Sequence, residues 1–133
     1  MKPFHLEIVT PDGLAFEGEI ESLLIRTDDG DVELLRGHAD FLASIATGRA
    51  RLLVDGKPRY ASVSGGFVSV QNGMAQVVAI TFEFAENIDL ARAKEAKERA
   101  ESAITRANDE RTELVAKAKL ARAVSRINVA ELK

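Results

Sequence analysis

The sequence predicts a β + α protein: an N-terminal antiparallel β-sandwich followed by a C-terminal antiparallel αα-hairpin. Three observations predict it. All nine glycines, all three prolines, all six phenylalanines and the single tyrosine lie between Pro3 and Phe84. From Ala85 onward Ala, Lys, Arg and Glu dominate instead; these are the strongest helix formers, whereas Gly and Pro mark turns and aromatic residues favour strands. Four dipeptides of hairpin type, Asp12-Gly13, Asp29-Gly30, Asp55-Gly56 and Asn72-Gly73, punctuate only the first part. Two domains are expected, a sandwich over residues 1–86 and a hairpin over 87–133, joined near residues 85–88.

Taken in order, strand-like runs occupy residues 4–9, 14–16, 20–26, 31–35, 41–45, 50–54, 59–63, 67–70 and 74–82. In 59–63, Ala61 and Val63 alternate with Tyr60 and Ser62, the period of a pleated strand. The run from Met74 to Phe82 is apolar on both faces, as a central strand would be. Many short strands at regular spacing indicate a sandwich or a flattened barrel. Gly65-Gly66 before Phe67 marks a bulge, a close backbone approach or a plain loop. Asn87 is a natural N-cap for a first helix over 88–108, with Asp89 in its first turn. That helix sets Ala93, Ala96, Ala100, Ala103 and Ala107 on one face, a stripe small enough for close approach by another helix. Asn108-Asp109 breaks the pattern and caps a second helix over 110–128. There Leu114, Ala118 and Ala121 share one side, and Leu120, Ala123, Val124 and Ile127 another. Antiparallel pairing across an Ala-rich seam is the expected result. Each methyl-sized group buried there contributes about 0.8 kcal/mol, so the hairpin needs the sandwich or a partner to hold its fold.

Composition narrows function. Apolar content of 46% and charge of 29% are those of a soluble globular chain. There is no cysteine, which excludes disulfides, thiolate catalysis and Cys-based metal sites. No apolar run approaches a membrane span, and the opening residues do not read as a secretory signal; a cytosolic protein or a peripheral subunit is expected. Residues 1–86 carry seven Lys/Arg against thirteen Asp/Glu, or −6; residues 87–133 carry eleven against eight, or +3. One reading of this split is ordinary solvated surface; the other is a basic helical arm that can rest on its own acidic body or on an acidic partner. Without aromatic stacking platforms, nucleic acid is not an expected partner. No P-loop is present, and His5 and His38 lie far apart with no nucleophile motif around either. Catalysis by this chain is not expected, and no cofactor is required.

The matching stretches Leu6-Glu-Ile-Val-Thr-Pro11, Phe16-Glu-Gly-Glu19, Gly37-His38-Ala39, Gly65-Gly-Phe-Val68, Glu86-Asn-Ile-Asp89, Arg92-Ala93, Ala121-Arg-Ala123 and Arg126-Ile-Asn-Val129 stand in one order over nearly the full length. By them the chain resembles the epsilon subunits of F-type ATP synthases (delta in mitochondrial naming). It departs from the family's Gly-Ile/Val-Leu-Pro-Gly-His-Ala-Pro segment, where Arg36 and Asp40 replace both prolines. The resemblance implies a noncatalytic central-stalk subunit, peripheral on the cytoplasmic side of a bacterial plasma membrane. It implies a sandwich that binds the gamma subunit and the c-ring, with Asp31, Glu33, Arg36 and His38 at the subunit interface. It also implies a hairpin that folds down on the sandwich or extends toward the catalytic alpha/beta hexamer and inhibits hydrolysis.

Ile88-Asp89-Leu90-Ala91-Arg92-Ala93 is similar to the Ile/Leu-Asp-x-x-Arg-Ala pattern that binds ATP in some bacterial epsilon subunits. The chemistry suits a regulatory nucleotide. Asp89 accepts from an adenine amino group, with Glu83 as a second acceptor; Ile88 and Ala93 give apolar contact; Arg92 offers a fork of donors. Arg99, Arg122 and Arg126 then face the phosphates if the hairpin folds back. The structural alternative stands beside it: Asp89 caps a helix, Arg92 pairs with a carboxylate, and the rest is a solvated basic face. A different class of function, a stand-alone nucleotide-binding module with a helical lid, is separated from a rotor subunit by co-purification with gamma and the c-ring.

Overall fold

Alternation in the opening segment, with Phe4, Leu6 and Ile8 on one face and His5, Glu7 and Val9 on the other, makes the first strand, β1 (Phe4–Thr10). Six more follow: β2 (Gly13–Ile20), β3 (Ser22–Thr27), β4 (Gly30–Leu34), β5 (Phe41–Val54), β6 (Lys57–Gln71) and β7 (Met74–Phe84). The computed structural model describes residues 2–132. The strands form one seven-stranded sheet in the order β2-β1-β7-β6-β5-β3-β4. Neighbours are antiparallel except β1 and β7, which run parallel. Inward side chains from all seven strands, among them Leu6, Ile20, Ile25, Leu34, Leu52, Val63 and Val77, meet in one cluster. The sheet therefore folds over on itself as two layers around one core, the sandwich that the strand spacing predicts.

Seven strands replace the nine expected. Segments 41–45 and 50–54 are one strand, β5, and 59–63 and 67–70 are one strand, β6, because β5 and β6 keep one register from Phe41↔Val70 to Val54↔Lys57. Gly65-Gly66 is accordingly neither loop nor bulge. A Cβ at Gly66 (φ 92) would collide with the Val78 carbonyl oxygen, so glycine there permits close approach of β6 and β7. Positive φ at Asp55 (51) and Gly56 (76), and at Asn72 (52) and Gly73 (78), makes type I′ turns of two of the four dipeptides. The other two turns are held by threonine: the Thr10 and Thr27 hydroxyls accept from the Asp12 and Asp29 amides, each at 3.2 Å. β7 is central, as expected, but only one of its apolar faces is inside. Ala75, Val77 and Ala79 are buried, while Met74 is 57% and Ile80 65% exposed.

A 3-10 turn over Ala85–Asn87 leads out of β7 into α1 (Leu90–Arg106), followed by α2 (Glu110–Ala130). Asp89, not Asn87, caps α1: its carboxylate accepts the Arg92 amide at 3.1 Å. The cap falls there because Ile88 is buried beside the turn and stays extended (φ −81, ψ 126), which delays the first helical residue to Leu90. Asp109 caps α2, accepting from the Thr112 amide at 2.7 Å. The helices pack on each other with Ala93, Ala100, Ala116 and Ala123 buried. Leu114 points outward at 70% exposure, and the Ala123 side of α2 turns inward. It is α2 that lies on β5, β6 and the turn. Its cover explains why Ser62, on the outer face of β6, is buried alongside Ala61 and Val63.

Candidate functional site

The segment that joins sandwich to hairpin is built from residues that fold it locally. Ile88 is buried in a small apolar cluster with Ala85, Val129 and Ala130, flanked by Tyr60 and Leu90. The end of α2 therefore packs back on the start of α1. Arg59 of β6 stacks its guanidinium 3.6 Å from the Phe84 ring centroid and pairs with Glu86 at 2.7 Å. That arrangement clamps the 3-10 turn from the sandwich side. Ala93 is fully buried, and the Arg92 side chain is exposed with no carboxylate partner among the described residues.

One helical turn before Val129, α2 meets the sheet through polar groups. The Ser125 hydroxyl donates to the Gly48 carbonyl at 3.1 Å and lies 2.8 Å from the Ser62 hydroxyl, a buried pair of oxygens. Next to it, Arg126 holds both oxygens of Glu83 at 2.8 and 3.2 Å. This bidentate pair, 36% exposed on the carboxylate and 26% on the guanidinium, ties α2 to β7. Glu83 is thus engaged by a cation of the chain itself, in place of the free acceptor that its position at the end of a strand suggests.

Beyond this pair opens a cleft of about 550 Å³ between sheet and hairpin. Its sheet wall is Ser62, Ser64, Thr81 and Glu83; its floor is Ala96, Ala100, Ala103 and Ala123; its helical walls carry Arg99, Lys119, Arg122 and Arg126. Four cations thus face one carboxylate, and the alanines leave room between them. Of the eight residues that the sequence singles out, Glu83, Arg99, Arg122 and Arg126 are brought together here. Ile88, Asp89, Arg92 and Ala93 sit instead at the hinge, outside the lining of the cleft. Lys119 is an addition of the structure, although it stands three and seven residues from Arg122 and Arg126 on the same helix face. Ser125 is another; a serine between inward alanines and valines was its signal.

The expected interface residues share the β4 edge and the loop after it. Asp31 pairs with Arg26 at 2.6 Å, and this hydrogen bond holds its carboxyl below the usual carboxylate range and raises the Arg26 guanidinium. Glu33 pairs with Arg51 at 3.0 Å. Arg36 is exposed in a turn closed by the His38 amide on the Leu35 carbonyl at 3.1 Å, with Gly37 at φ 83. The His38 ring donates from Nδ1 to the Ala39 carbonyl at 2.7 Å and meets Phe41 edge-on at 5.5 Å. Some outward positions elsewhere on the sheet are apolar. The paired positions Leu14, Val9, Val78 and Phe67 form a row across β2, β1, β7 and β6, with Leu14 59% and Phe67 41% exposed.

Comparison with known proteins gives a consistent result. The family described as "ATP synthase, Delta/Epsilon chain, beta-sandwich domain" matches residues 3–85, and "ATP synthase, Delta/Epsilon chain, long alpha-helix domain" matches 86–131. The chain is 39% identical over 130 residues to the ATP synthase epsilon chain of Bacillus velezensis, covering 98% of each. It is 40% identical over 135 residues to that of Ruminococcus albus, covering 100% of each. In fold it is similar to a chain of the Euglena gracilis mitochondrial ATP synthase (OSCP/F1/c-ring), with a TM-score of 0.82 at 22% identity over 98% of this chain and 82% of that one. A chain of the Tetrahymena thermophila mitochondrial ATP synthase central stalk/c-ring gives 0.68 at 12% identity, covering 95% of each.

Proposed function

Because the chain belongs to the ATP synthase delta/epsilon chain family, we propose that it is the central-stalk subunit of a bacterial F-type ATP synthase whose hairpin restrains ATP hydrolysis under control of ATP. The subunit is noncatalytic. Among the described residues no helix is long and apolar enough to cross a membrane. Its place is peripheral, on the cytoplasmic side of the plasma membrane, held by the complex. The apolar row from Leu14 to Phe67 suits docking of the gamma subunit, since contiguous exposed apolar surface marks interaction sites. The β4 edge, with Asp31, Glu33, Arg36 and His38, is the surface offered to the c-ring. Through these contacts the sandwich couples ion translocation to rotation, and the released, basic hairpin reaches toward the alpha/beta hexamer.

The observation that carries the regulatory reading is the cleft. Its polar wall belongs to the sheet and all four of its cations to the two helices, so a ligand there bridges both parts. Cationic walls suit phosphates, and the hydroxyls and small apolar floor suit a base and ribose. Such a ligand stabilises the docked hairpin by RT ln(1 + [ATP]/Kd), about 2.7 kcal/mol at a hundredfold excess over Kd. Falling ATP then releases the arm. The test is ATP titration of the isolated chain by calorimetry, with a spectroscopic distance between the sandwich and α2 measured in the same samples. Saturable binding that shortens the distance is expected. No binding near millimolar ATP, or binding with the distance unchanged, overturns the sensor and leaves the stalk assignment standing.

A further inference from the structure

α2 lies on the sheet as a ridge with a cleft on each flank. Lys119, Arg122, Ala123 and Arg126 turn toward the cleft described above, whereas Lys117, Leu120, Val124 and Asn128 turn to the opposite side. There a second cleft of about 670 Å³ opens between α2 and the outer face of β3, β4 and β5. Among the described residues none lines both clefts, so the two are separate sites. The second is apolar down its length: Leu120, Val124, Val129 and Leu132 stand along α2, with Leu24 opposite on β3. From Lys117 to Leu132 it runs about 22 Å at a rise of 1.5 Å per residue. Leu24, Leu120 and Val124 are only half-buried and Leu132 is 40% exposed, so the sheet leaves this strip uncovered.

Three cations stand in the lining, and two are already paired: Arg26 with Asp31 at 2.6 Å and Lys117 with Glu113 at 2.8 Å. The third, Arg49 of β5, is exposed, and among the described residues it makes no ion pair and donates no side-chain hydrogen bond. Asp31 is bonded to Arg26 and feels the charge of Arg49 only at a distance. The Arg49 guanidinium stands 5.9 Å from the centre of the Tyr60 ring, a contact that orients it without using its N–H fork. One free cation therefore meets one anionic group, and apolar walls meet whatever carries that group. A planar fork matches a carboxylate. A polyphosphate would set its further charges against leucine and valine, where nothing compensates them. A flat lipid surface does not enter a recess between a helix and a sheet. We propose that this second cleft binds a free amphipathic monocarboxylate of fatty-acid type, its carboxylate on Arg49 and its chain against the leucines and valines of α2. A cleft of this size and apolar character is that of a small-molecule site.

Amide chemical shifts of the full chain, titrated with octanoate, decanoate and dodecanoate below their micelle points, test it. Saturable shifts are expected at Leu24, Thr47, Leu120 and Val124, with Thr81, Ala96 and Ala100 of the first cleft unmoved. Each added methylene should lower the Kd about two- to fourfold. Arg49 is exposed, so Arg49→Gln keeps its fold, and unchanged circular dichroism checks this. That variant should raise the Kd for decanoate about fivefold or more while the weaker binding of decanol, the neutral counterpart, changes less than about twofold. Equal binding of decanoate and decanol to the unmutated chain overturns the carboxylate at Arg49. Shifts centred instead on the exposed row from Leu14 to Phe67 show adsorption to any apolar surface and overturn the site. Absence of saturable shifts with the free acids, or shifts only with phosphatidylglycerol vesicles, overturns it as well.

Discussion

The sandwich and the hairpin are held by different kinds of contact. Inside the sheet, Leu6, Ile8, Leu23, Ile25, Leu34 and Leu52 are all fully buried, and each such side chain contributes about 1.5–3 kcal/mol. Between hairpin and sheet, the contacts are the buried Ser62–Ser125 pair, the half-buried Glu83–Arg126 ion pair and the small cluster around Val129. A polar contact of this kind nets only about 0.5–1.5 kcal/mol, because both partners regain water when it opens. The sandwich is thus built to stay closed and the hairpin to come away without exposing a large apolar face. All the docking groups of α2 fall within its last two turns, so release of that end frees the whole hairpin.

The largest effect that separates the two regions is expected from Val129→Asp. Val129 is 1% exposed, and a carboxylate there is buried against the apolar surface of Ala85, Ile88 and Tyr60. Destabilisation of docking by about 3 kcal/mol or more should leave the hairpin undocked in most molecules. The sandwich should retain its melting transition, because its own apolar core is a cluster separate from the one around Val129. Leu6→Ala is the mirror experiment: a loss of about 2–5 kcal/mol in sandwich stability. Amide hydrogen exchange reads both. If Val129→Asp also strips protection from β3 or β6, the two regions are one cooperative unit and the contrast fails.

How much of this was legible in the sequence divides along the same line. Local rules carried the sandwich: hairpin dipeptides placed the turns and alternation set Ala61 and Val63 on one face, whereas the run from Met74 to Phe82, read as apolar on both faces, buries only one. Two expected breaks, near Gly48 and Gly65-Gly66, are absent because glycine signals a turn in sequence, whereas here it serves close packing of continuous strands. The cap of α1 slipped by two residues because Asn87 and Asp89 both suit the position, and only burial of Ile88 decides between them. Arg99, Arg122 and Arg126 were expected to face one ligand through what the resemblance implies, a hairpin that folds back on the sandwich, and the three do line one cleft. The docking contacts could not be read. Glu83 and Arg126 are 43 residues apart and Ser62 and Ser125 are 63 apart, so no local pattern links them.

Ser125→Ala sharpens the contrast at intermediate size. It removes one hydroxyl and leaves Ser62 and the Gly48 carbonyl without it in a buried place. Docking should weaken by about 1–2 kcal/mol, the cost of leaving buried polar groups unsatisfied. In combination with Ser62→Ala, part of that loss should return, since no orphaned hydroxyl then remains. A double-mutant cycle on the sandwich-to-α2 distance measures it. Additive losses in the cycle would mean that the two hydroxyls act independently and that the pair is not a unit of the docking surface.

The smallest effect distinguishes two carboxylates of opposite setting. Asp31 lies on β4, and its lowered carboxyl is held by Arg26; Asp109 caps α2, and its lowered carboxyl is held by the Thr112 amide. In both, the folded state favours the charged form. Each contribution is therefore complete above the ordinary carboxylate range and lost as pH falls through the depressed folded value. Protonation has different consequences in the two places. β4 remains anchored by the buried Leu34, whereas the first turn of α2, from Glu110 to Thr112, is exposed and has the cap as its anchor. Asp109→Ala should thus fray the start of α2 at neutral pH, seen as a loss of helical circular dichroism that Asp109→Asn largely avoids. The difference between wild type and Asp109→Ala should narrow in acid, where the protonated cap loses its charge but keeps an oxygen acceptor. Asp31→Asn should leave the spectrum unchanged throughout, because the strand does not depend on its edge ion pair. A gap between wild type and Asp109→Ala that is undiminished at low pH would show that the charge of the side chain adds nothing to the cap, and would overturn the pH dependence expected of this helix start.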